Sequence, residues 1–165
     1  MSESPSTGQP RDSGRRMTDA ERAALLAQPL TAFVGCVDSS GHPYVIPVWF
    51  TYADHGFYIA ARQHSAWADY LERDGRVSLC IDGGADNPGA RVLVKGIAEA
   101  VEPAGTEGRW VDLAREMSLR YMGEVDGPAY FAQTRSEPRR LFFVRILRLT
   151  DWVGGWAARY KHSDW

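Results

Sequence analysis

At 165 residues the chain is long enough for one domain with a tail, and too short for a TIM barrel or an enzyme with a separate cofactor domain. Its 19 Lys and Arg nearly balance 21 Asp and Glu, so it lacks the general basic field that nucleic-acid or anionic-membrane binding draws on. With 44% hydrophobic residues it has a globular composition, and six Trp with seven Tyr form an aromatic excess that the fold or the function has to use.

Residues 1–16 are rich in Ser, Pro, Gly and Arg, have no apolar periodicity, and read as a disordered tail. No long apolar stretch follows Arg15-Arg16, so no twin-arginine or secretory signal is expected, and no run reaches the ~18 residues of a membrane span. Order is expected from Thr18-Asp-Ala-Glu21, a capping box opening a helix to about Gln28, ahead of Pro29. Residues 30–37, 43–52 and 57–61 read as three strands of an antiparallel meander, joined by turns at Asp38-Ser-Ser-Gly41 and Asp54-His-Gly56. Ser65 is a good N-cap for a helix over 66–73, with Trp67, Tyr70 and Leu71 on one face. Strands are expected over 77–82 and 91–101, the latter with Gly96 marking a bulge or a close approach. Trp110, Leu113, Met117 and Tyr121 give an amphipathic helix over 106–121; a short helical turn at 127–134 and a sixth strand over 141–150 follow. Residues 151–165 form an aromatic tail. The expected fold is mainly β with helices (α+β), a six-stranded antiparallel barrel, closed or half-closed.

Cys36 and Cys80 sit in apolar strand-like runs and read as buried reduced thiols of a cytoplasmic protein, with a disulfide as the alternative. No His or acid stands at metal-ligand spacing, so no metal is expected. A nucleophile elbow, a Walker loop, a His-Glu-x-x-His helix and a dinucleotide fingerprint are all missing. His42 and His55 fall in hairpin turns and His162 in the tail. His64 belongs to Ala60-Ala61-Arg62-Gln63-His64-Ser65-Ala66-Trp67, a strand end that leads into a helix start. Free amides, the helix dipole, the Ser65 hydroxyl and the charges of Arg62 and His64 suit an anion there. The same residues equally describe a capped helix with a solvated arginine.

Gly41-His-Pro-Tyr-Val-Ile-Pro-Val-Trp-Phe50, Gly56-Phe-Tyr-Ile-Ala-Ala61, Ser65-Ala-Trp67, Arg76-Val-Ser-Leu-Cys-Ile-Asp82 and Val94-Lys-Gly-Ile-Ala98, in that order, resemble the split β-barrel flavin-binding family. That family includes pyridoxamine 5′-phosphate oxidase and the flavin- and deazaflavin-dependent oxidoreductases. The resemblance covers about residues 17–150. It implies a flavin or deazaflavin ring against the backbone of Pro47, Val48 and Trp49, and a ribityl phosphate at Ala60, Ala61, Arg62 and Ser65. Where the family's turn commonly runs Ser-Arg-Lys or ends in Lys, this chain has Ser65-Ala66-Trp67. Both phosphate cations are therefore missing from the turn, and Arg62, His64 or Lys95 are the candidates to replace them. Trp67 belongs to the core or to the cofactor, Trp49 faces the barrel or the ring, and Lys95 is solvated or, beside Gly96, approached by something. The resemblance further implies a homodimer with sites at the subunit interface. Trp156 and the rest of the tail then line the partner's site, or else pack on their own barrel.

The function so implied is hydride transfer between a deazaflavin (F-420 type) or FMN cofactor and a small unsaturated substrate, with no protein acid or base evident. The missing cations favour an exchangeable deazaflavin over tight FMN, and disfavour pyridoxamine phosphate oxidation itself. The alternative is a non-catalytic flavin-, haem- or metabolite-binding protein on the same barrel, with His64 as the candidate haem ligand.

Overall fold

The computed structural model describes residues 14–154. The expected capping box is present at Thr18: its side chain accepts from the Glu21 N–H at 3.2 Å, while the Glu21 carboxylate accepts from the Thr18 N–H at 2.8 Å. It opens α1 (Asp19–Leu26), followed by β1 (Ala32–Val37), β2 (Pro43–Val48), β3 (Thr51–Ala53) and β4 (Gly56–Arg62). Then come α2 (Ala66–Arg73), β5 (Arg76–Asp82), β6 (Arg91–Ala100), α3 (Trp110–Thr134) and β7 (Arg139–Trp152). One antiparallel sheet has the order β2-β1-β5-β6-β7-β4-β3.

The sheet has seven strands rather than six, because the strand expected over 43–52 divides at Trp49-Phe50. Its two halves, β2 and β3, are the two edges of the sheet and yet are consecutive in sequence. The chain thus crosses from one edge to the other at this bend, and the curled sheet is a half-barrel split there. A side chain replaces the missing ladder partner: the Phe50 N–H donates to the Tyr121 hydroxyl at 3.2 Å, and that hydroxyl donates to the Leu30 C=O at 2.7 Å. On the edge strand β2, the Asp38 N–H···O=C His42 bond makes 38 and 42 a bonded pair. Alternation then turns the backbone of 43, 45 and 47 away from β1, and prolines stand at the outer two of these positions.

The core follows strand alternation. Val34 and Cys36 from β1, Leu79 and Ile81 from β5, and Val92 and Val94 from β6 point inward, and Leu26 of α1 and Leu71 of α2 pack against them. The same period turns Cys80 to the opposite face from Cys36, so the two are free thiols and no disulfide joins them. A second apolar cluster covers the outer side of β4 and β7, where Trp110, Leu113 and Met117 pack on Tyr58 and Leu141.

That cluster belongs to α3, which differs from expectation at both ends. It starts at Trp110 rather than 106, where the Glu102 carboxylate accepts from the N–H groups of Arg109 at 3.0 Å and Trp110 at 3.1 Å. The short turn expected at 127–134 is instead its second limb. Gly123 has φ 78°, which ends the first limb, and a Cβ on Gly127 would lie 2.7 Å from the Ser118 oxygen. Two residues nine apart in one straight helix would be well over 10 Å apart. The limbs 110–122 and 124–134 therefore fold back as an αα-hairpin. At its far end Arg135 returns to the Thr106 C=O and, at 2.8 Å, to Glu107.

β7 extends two residues beyond the expected strand at each end. Asp151 and Trp152, expected in the tail, are strand residues, and Val153 exchanges two 2.9 Å backbone bonds with Arg15. Order thus reaches back to Arg15. Residues 1–13 and 155–165, with the rest of both expected tails, lie outside the described residues. Gly96 does sit at a bulge: the register shifts between Lys95 and Gly96, leaving Leu147 of β7 as the extra residue. The close approach there is made by β7, because a Cβ on Gly96 would lie 2.6 Å from the Arg145 oxygen. Among the described residues no helix is long and apolar enough to cross a membrane.

Candidate functional site

A cavity of about 430 Å³ opens between the β2–β3 bend, the β4–α2 turn and the α3 hairpin. Seven of the expected residues meet in its wall: Pro47, Val48, Trp49, Ala60, Arg62, Ser65 and Trp67. Alternation along β4 explains why Ala60 lines it while Ala61, 1% exposed, points into the barrel core. His64 is exposed on the turn and stands outside the wall. Lys95 is exposed and borders a different groove on the outer sheet face, beside Gly35, Val45 and Ser78. Trp156 lies outside the described residues.

Trp49 and Trp67 each pack against the fold and also border the cavity. Trp49 stacks on Tyr121 with centroids 4.8 Å apart and planes 10° apart, and Tyr130 tilts against it at 5.3 Å. Trp67 packs against Phe142 at 6.2 Å. Both still border the cavity.

The residue that sequence reasoning missed is Arg139. In the β4–β7 register it stands directly opposite Arg62, and both line the cavity. Like charges on facing strand positions repel, and an anion between them would relieve that repulsion. The Arg139 Nε is buried with no hydrogen-bond partner among the described residues, and its guanidinium lies over the Trp110 ring, 5.9 Å from the centroid. Arg62 is shared with Glu137 at 3.4 Å, their side chains being 58% and 45% exposed. Beside them Ser65 has the extended backbone of an N-cap but makes no side-chain cap bond, so its hydroxyl is available to a ligand. Its backbone N–H returns to the Arg62 C=O at 3.0 Å, which shapes the turn.

Arg140, the next residue of β7, faces the other way and holds this turn in place. It donates to the carbonyls of Gln63 and Ser65 and pairs with Asp69 at 2.7 Å and Glu72 at 3.2 Å. Burial opposes its charge, but the bonds to Asp69 and Glu72 outweigh that and hold its pKa above the usual value. The start of α2 is thus locked to β7 on one side of the sheet while Arg62 and Arg139 remain open on the other. No Asp, Glu, His, Cys or Lys borders the cavity among the described residues, and no cluster of metal-ligating residues occurs among them.

Residues 18–153 match the family model described as pyridoxamine 5′-phosphate oxidase. No curated protein matches the chain in sequence. Among solved structures, a conserved hypothetical protein from Mycobacterium tuberculosis is similar with TM-score 0.67 and 23% identity, over 83% of this chain and 85% of that one. An F420 reductase gives TM-score 0.61 and 22% identity over 77% of this chain and 94% of its own. A haem storage protein from Vibrio cholerae gives 0.62 and 17% over 84% and 95%. With the family model spanning most of the chain and the half-barrel carrying the same fold as these structures, the chain belongs to the pyridoxamine 5′-phosphate oxidase-like family of split-barrel flavin-binding proteins.

Proposed function

We propose that the cavity binds a flavin-type cofactor, a deazaflavin (F-420 type) or FMN, and that the chain is an oxidoreductase moving hydride between it and a small unsaturated substrate. The observation that carries this reading is the facing pair Arg62 and Arg139 beside the uncapped Ser65 hydroxyl. Both arginines line the cavity, and guanidinium groups with a hydroxyl are chemically suited to a phosphate. The volume, about 430 Å³, falls within the range of small-molecule sites. Arg62 at the end of β4 and Arg139 across the sheet would stand in for the two cations missing from the turn. That restores FMN as a full candidate, while the exposure of Arg62 and its sharing with Glu137 favour an exchangeable ligand.

Bound there, such a cofactor would supply the hydride chemistry, and the chain's own residues bind, orient and shield it. Arg62, Arg139 and Ser65 would hold the phosphate. Pro47, Val48 and Trp49 would set the plane of the ring, and the α3 hairpin would exclude water from above. A haem reading has less support, since His64 stands outside the wall. The uncovered outer sheet face, where Phe33, Val45 and Leu147 are exposed, supports the expected homodimer, and the two free thiols are in keeping with a cytoplasmic setting.

Titration of the full chain with FMN, the deazaflavin coenzyme and haemin, followed by fluorescence and absorbance, tests the reading. Micromolar binding of FMN or the deazaflavin is expected, weakened about tenfold or more by Arg139→Ala through loss of a charge-assisted bond. No binding of either at micromolar concentration, or binding indifferent to Arg62→Ala and Arg139→Ala together, rejects it.

A further inference from the structure

The bend at Trp49-Phe50 is gripped by two consecutive residues of α3. Tyr121 stacks flat on Trp49, and its hydroxyl accepts from the Phe50 N–H and donates to the Leu30 C=O. Arg120 reaches the other bend residue: its guanidinium carbon lies 5.5 Å from the centroid of the Phe50 ring and 4.9 Å from that of Tyr121. Phe50 is fully buried and packs edge-on against Phe57. The charge of Arg120 is therefore seated among aromatic rings. The Tyr121 ring links it to Trp49, whose indole borders the cavity.

Its surroundings set Arg120 apart from most arginines that are half-buried or more. Arg22 pairs with Asp151, Arg91 with Asp82, Arg135 with Glu107 and Arg140 with Asp69. Arg120 and Arg139 are also half-buried or more, and neither has an acid within ion-pair distance among the described residues. Arg139 lines the cavity, and Arg120 stands behind the Trp49 part of its wall. A pairing acid is what usually makes such a position tolerable to a cation. The Arg120 Nε and Nη2 are buried with no hydrogen-bond partner among the described residues, and two ring faces supply the compensation instead. Burial draws its pKa below the ordinary arginine value, although Tyr121 and Glu116 favour the charged form, and the guanidinium keeps its proton at any working pH. A methionine would fill the same space against the same rings without that cost. A residue that costs stability and packs no better than an apolar one is expected where function uses its charge.

We propose that Arg120 biases the cavity toward a ring that carries negative charge, and so toward the reduced form of its ligand. The inference rests on the flavin-type reading above and adds to it a residue that sets which redox form is held. Reduced flavins and deazaflavins lose a ring proton near neutral pH and become anions, whereas the oxidised rings are neutral. The contacts through Tyr121 bring the guanidinium within about 10 Å of the Trp49 indole, a separation at which charges still interact appreciably when rings rather than water lie between them. No carboxylate borders the cavity among the described residues to cancel that field. Arg62 and Arg139 would be neutralised by the phosphate, whose charge is the same in both redox forms. Arg120 is left to discriminate between them, and it acts through the Tyr121–Trp49 stack.

The test compares the full native chain with Arg120→Met, which keeps the length and removes the charge, and Arg120→Lys, which keeps the charge and removes the flat stacking. Each is titrated without oxygen, above neutral pH, with oxidised and with reduced FMN, and in the same way with the deazaflavin coenzyme. Quenching of tryptophan fluorescence gives the ratio of the two dissociation constants. Arg120→Met is expected to shift that ratio about tenfold toward the oxidised form, equivalent to about 30 mV in the two-electron potential of the bound ring. Arg120→Lys is expected to keep the native ratio. Competition by inorganic phosphate stays native in both variants, because Arg62, Arg139 and Ser65 are untouched, and the thermal midpoint of Arg120→Met is at or above the native value. A native ratio in Arg120→Met overturns the proposal. So does a ratio in Arg120→Lys that falls as far as in Arg120→Met, since stacking rather than charge would then be at work. Both outcomes spare the cofactor reading. A native chain that binds neither FMN nor the deazaflavin in either redox form defeats the cofactor reading and the proposal with it.

Discussion

Glu137 and Arg139 are two residues apart and act in opposite senses on Arg62. Arg139 faces it across the ladder with the same charge, and Glu137 neutralises it from the strand's approach at 3.4 Å. Any phosphate that binds the pair has to compete with that carboxylate. Replacing Glu137 by Gln is therefore expected to tighten FMN binding a few-fold, about 0.5–1 kcal/mol for a half-exposed pair, as measured by quenching of flavin fluorescence. Unchanged or weaker affinity would mean that Arg62 does not meet the phosphate. At this scale the sequence was informative where a site is local. Arg62 and Ser65 lie three residues apart on one strand end and helix start, a pattern that suits an anion and equally a capped helix with a solvated arginine. Arg139 is invisible in the same way, because its relevance depends on the register of β7 against β4, and no local pattern encodes which residues of two distant strands face each other. The alternation of β7, carried two residues upstream of Leu141, could have put Arg139 on the outer face but not opposite Arg62. The orientation of Trp49 was likewise open, since the tyrosines that fix it come from a helix far along the chain.

The elements were legible in proportion to how regular they are. Apolar spacing at 110, 113, 117 and 121 identified the first limb of α3, and strand alternation found β1, β4, β5 and β6 within a residue or two. The bend at Trp49-Phe50 stayed hidden because residues on both sides of it have strand-like composition, and only the rest of the sheet shows that they lie on opposite edges. The hairpin was hidden for a related reason. A glycine inside a helical stretch is tolerated, so Gly123 alone does not announce a reversal; the tight fit of Gly127 does. That fit has a consequence for function. A side chain at 127 would push against backbone at Ser118 and Leu119, at 2.7 and 3.0 Å, with no flexible group to give way. Gly127→Val is thus expected to part the limbs and destabilise the chain by about 1–3 kcal/mol, and to displace Tyr130 from Trp49. Urea unfolding measures the first effect. Loss of the near-ultraviolet circular dichroism of the Trp49 stack measures the second, and a variant with native values in both would refute the hairpin.

Across the whole molecule, the N-terminal segment is strapped to the far end of β7. Arg15 pairs with Val153 through the backbone and with Glu21 through its side chain, while buried Asp151 takes the Met17 N–H at 3.3 Å and Arg22 at 2.8 Å. The Arg15 hydrogen bond, then the Thr18 N–H, hold the Glu21 carboxyl down at about 2 from an ordinary 4.5. A depressed carboxyl favours the folded strap above pH 4.5, and that contribution disappears as pH falls toward 2. Amide exchange at Arg15 and Val153 is accordingly expected to stay slow above pH 4.5, after correction for the intrinsic rate, and to speed up below it before the β4 amides do. Glu21→Gln should show the faster exchange above pH 4.5, and its difference from the native chain should close as pH falls toward 2. Exchange at these two amides that ignores the substitution would remove Glu21 from the strap. The overall class was legible because short links between strands leave few alternatives to an antiparallel barrel. The strap was not, since a polar segment can be recognised from composition but its docking site cannot.

The prolines of β2 carry one more implication. A bare sheet edge is a template on which another chain can grow. Here the outward backbone of β2 offers a single amide, that of Val45, between two residues with none to give, and the opposite edge, β3, is only three residues long. Both borders are poor templates for a continuous intermolecular sheet. A face-to-face contact through side chains is thus open to a second copy where edge-to-edge pairing is disfavoured, and fibrillar growth from these edges is disfavoured with it.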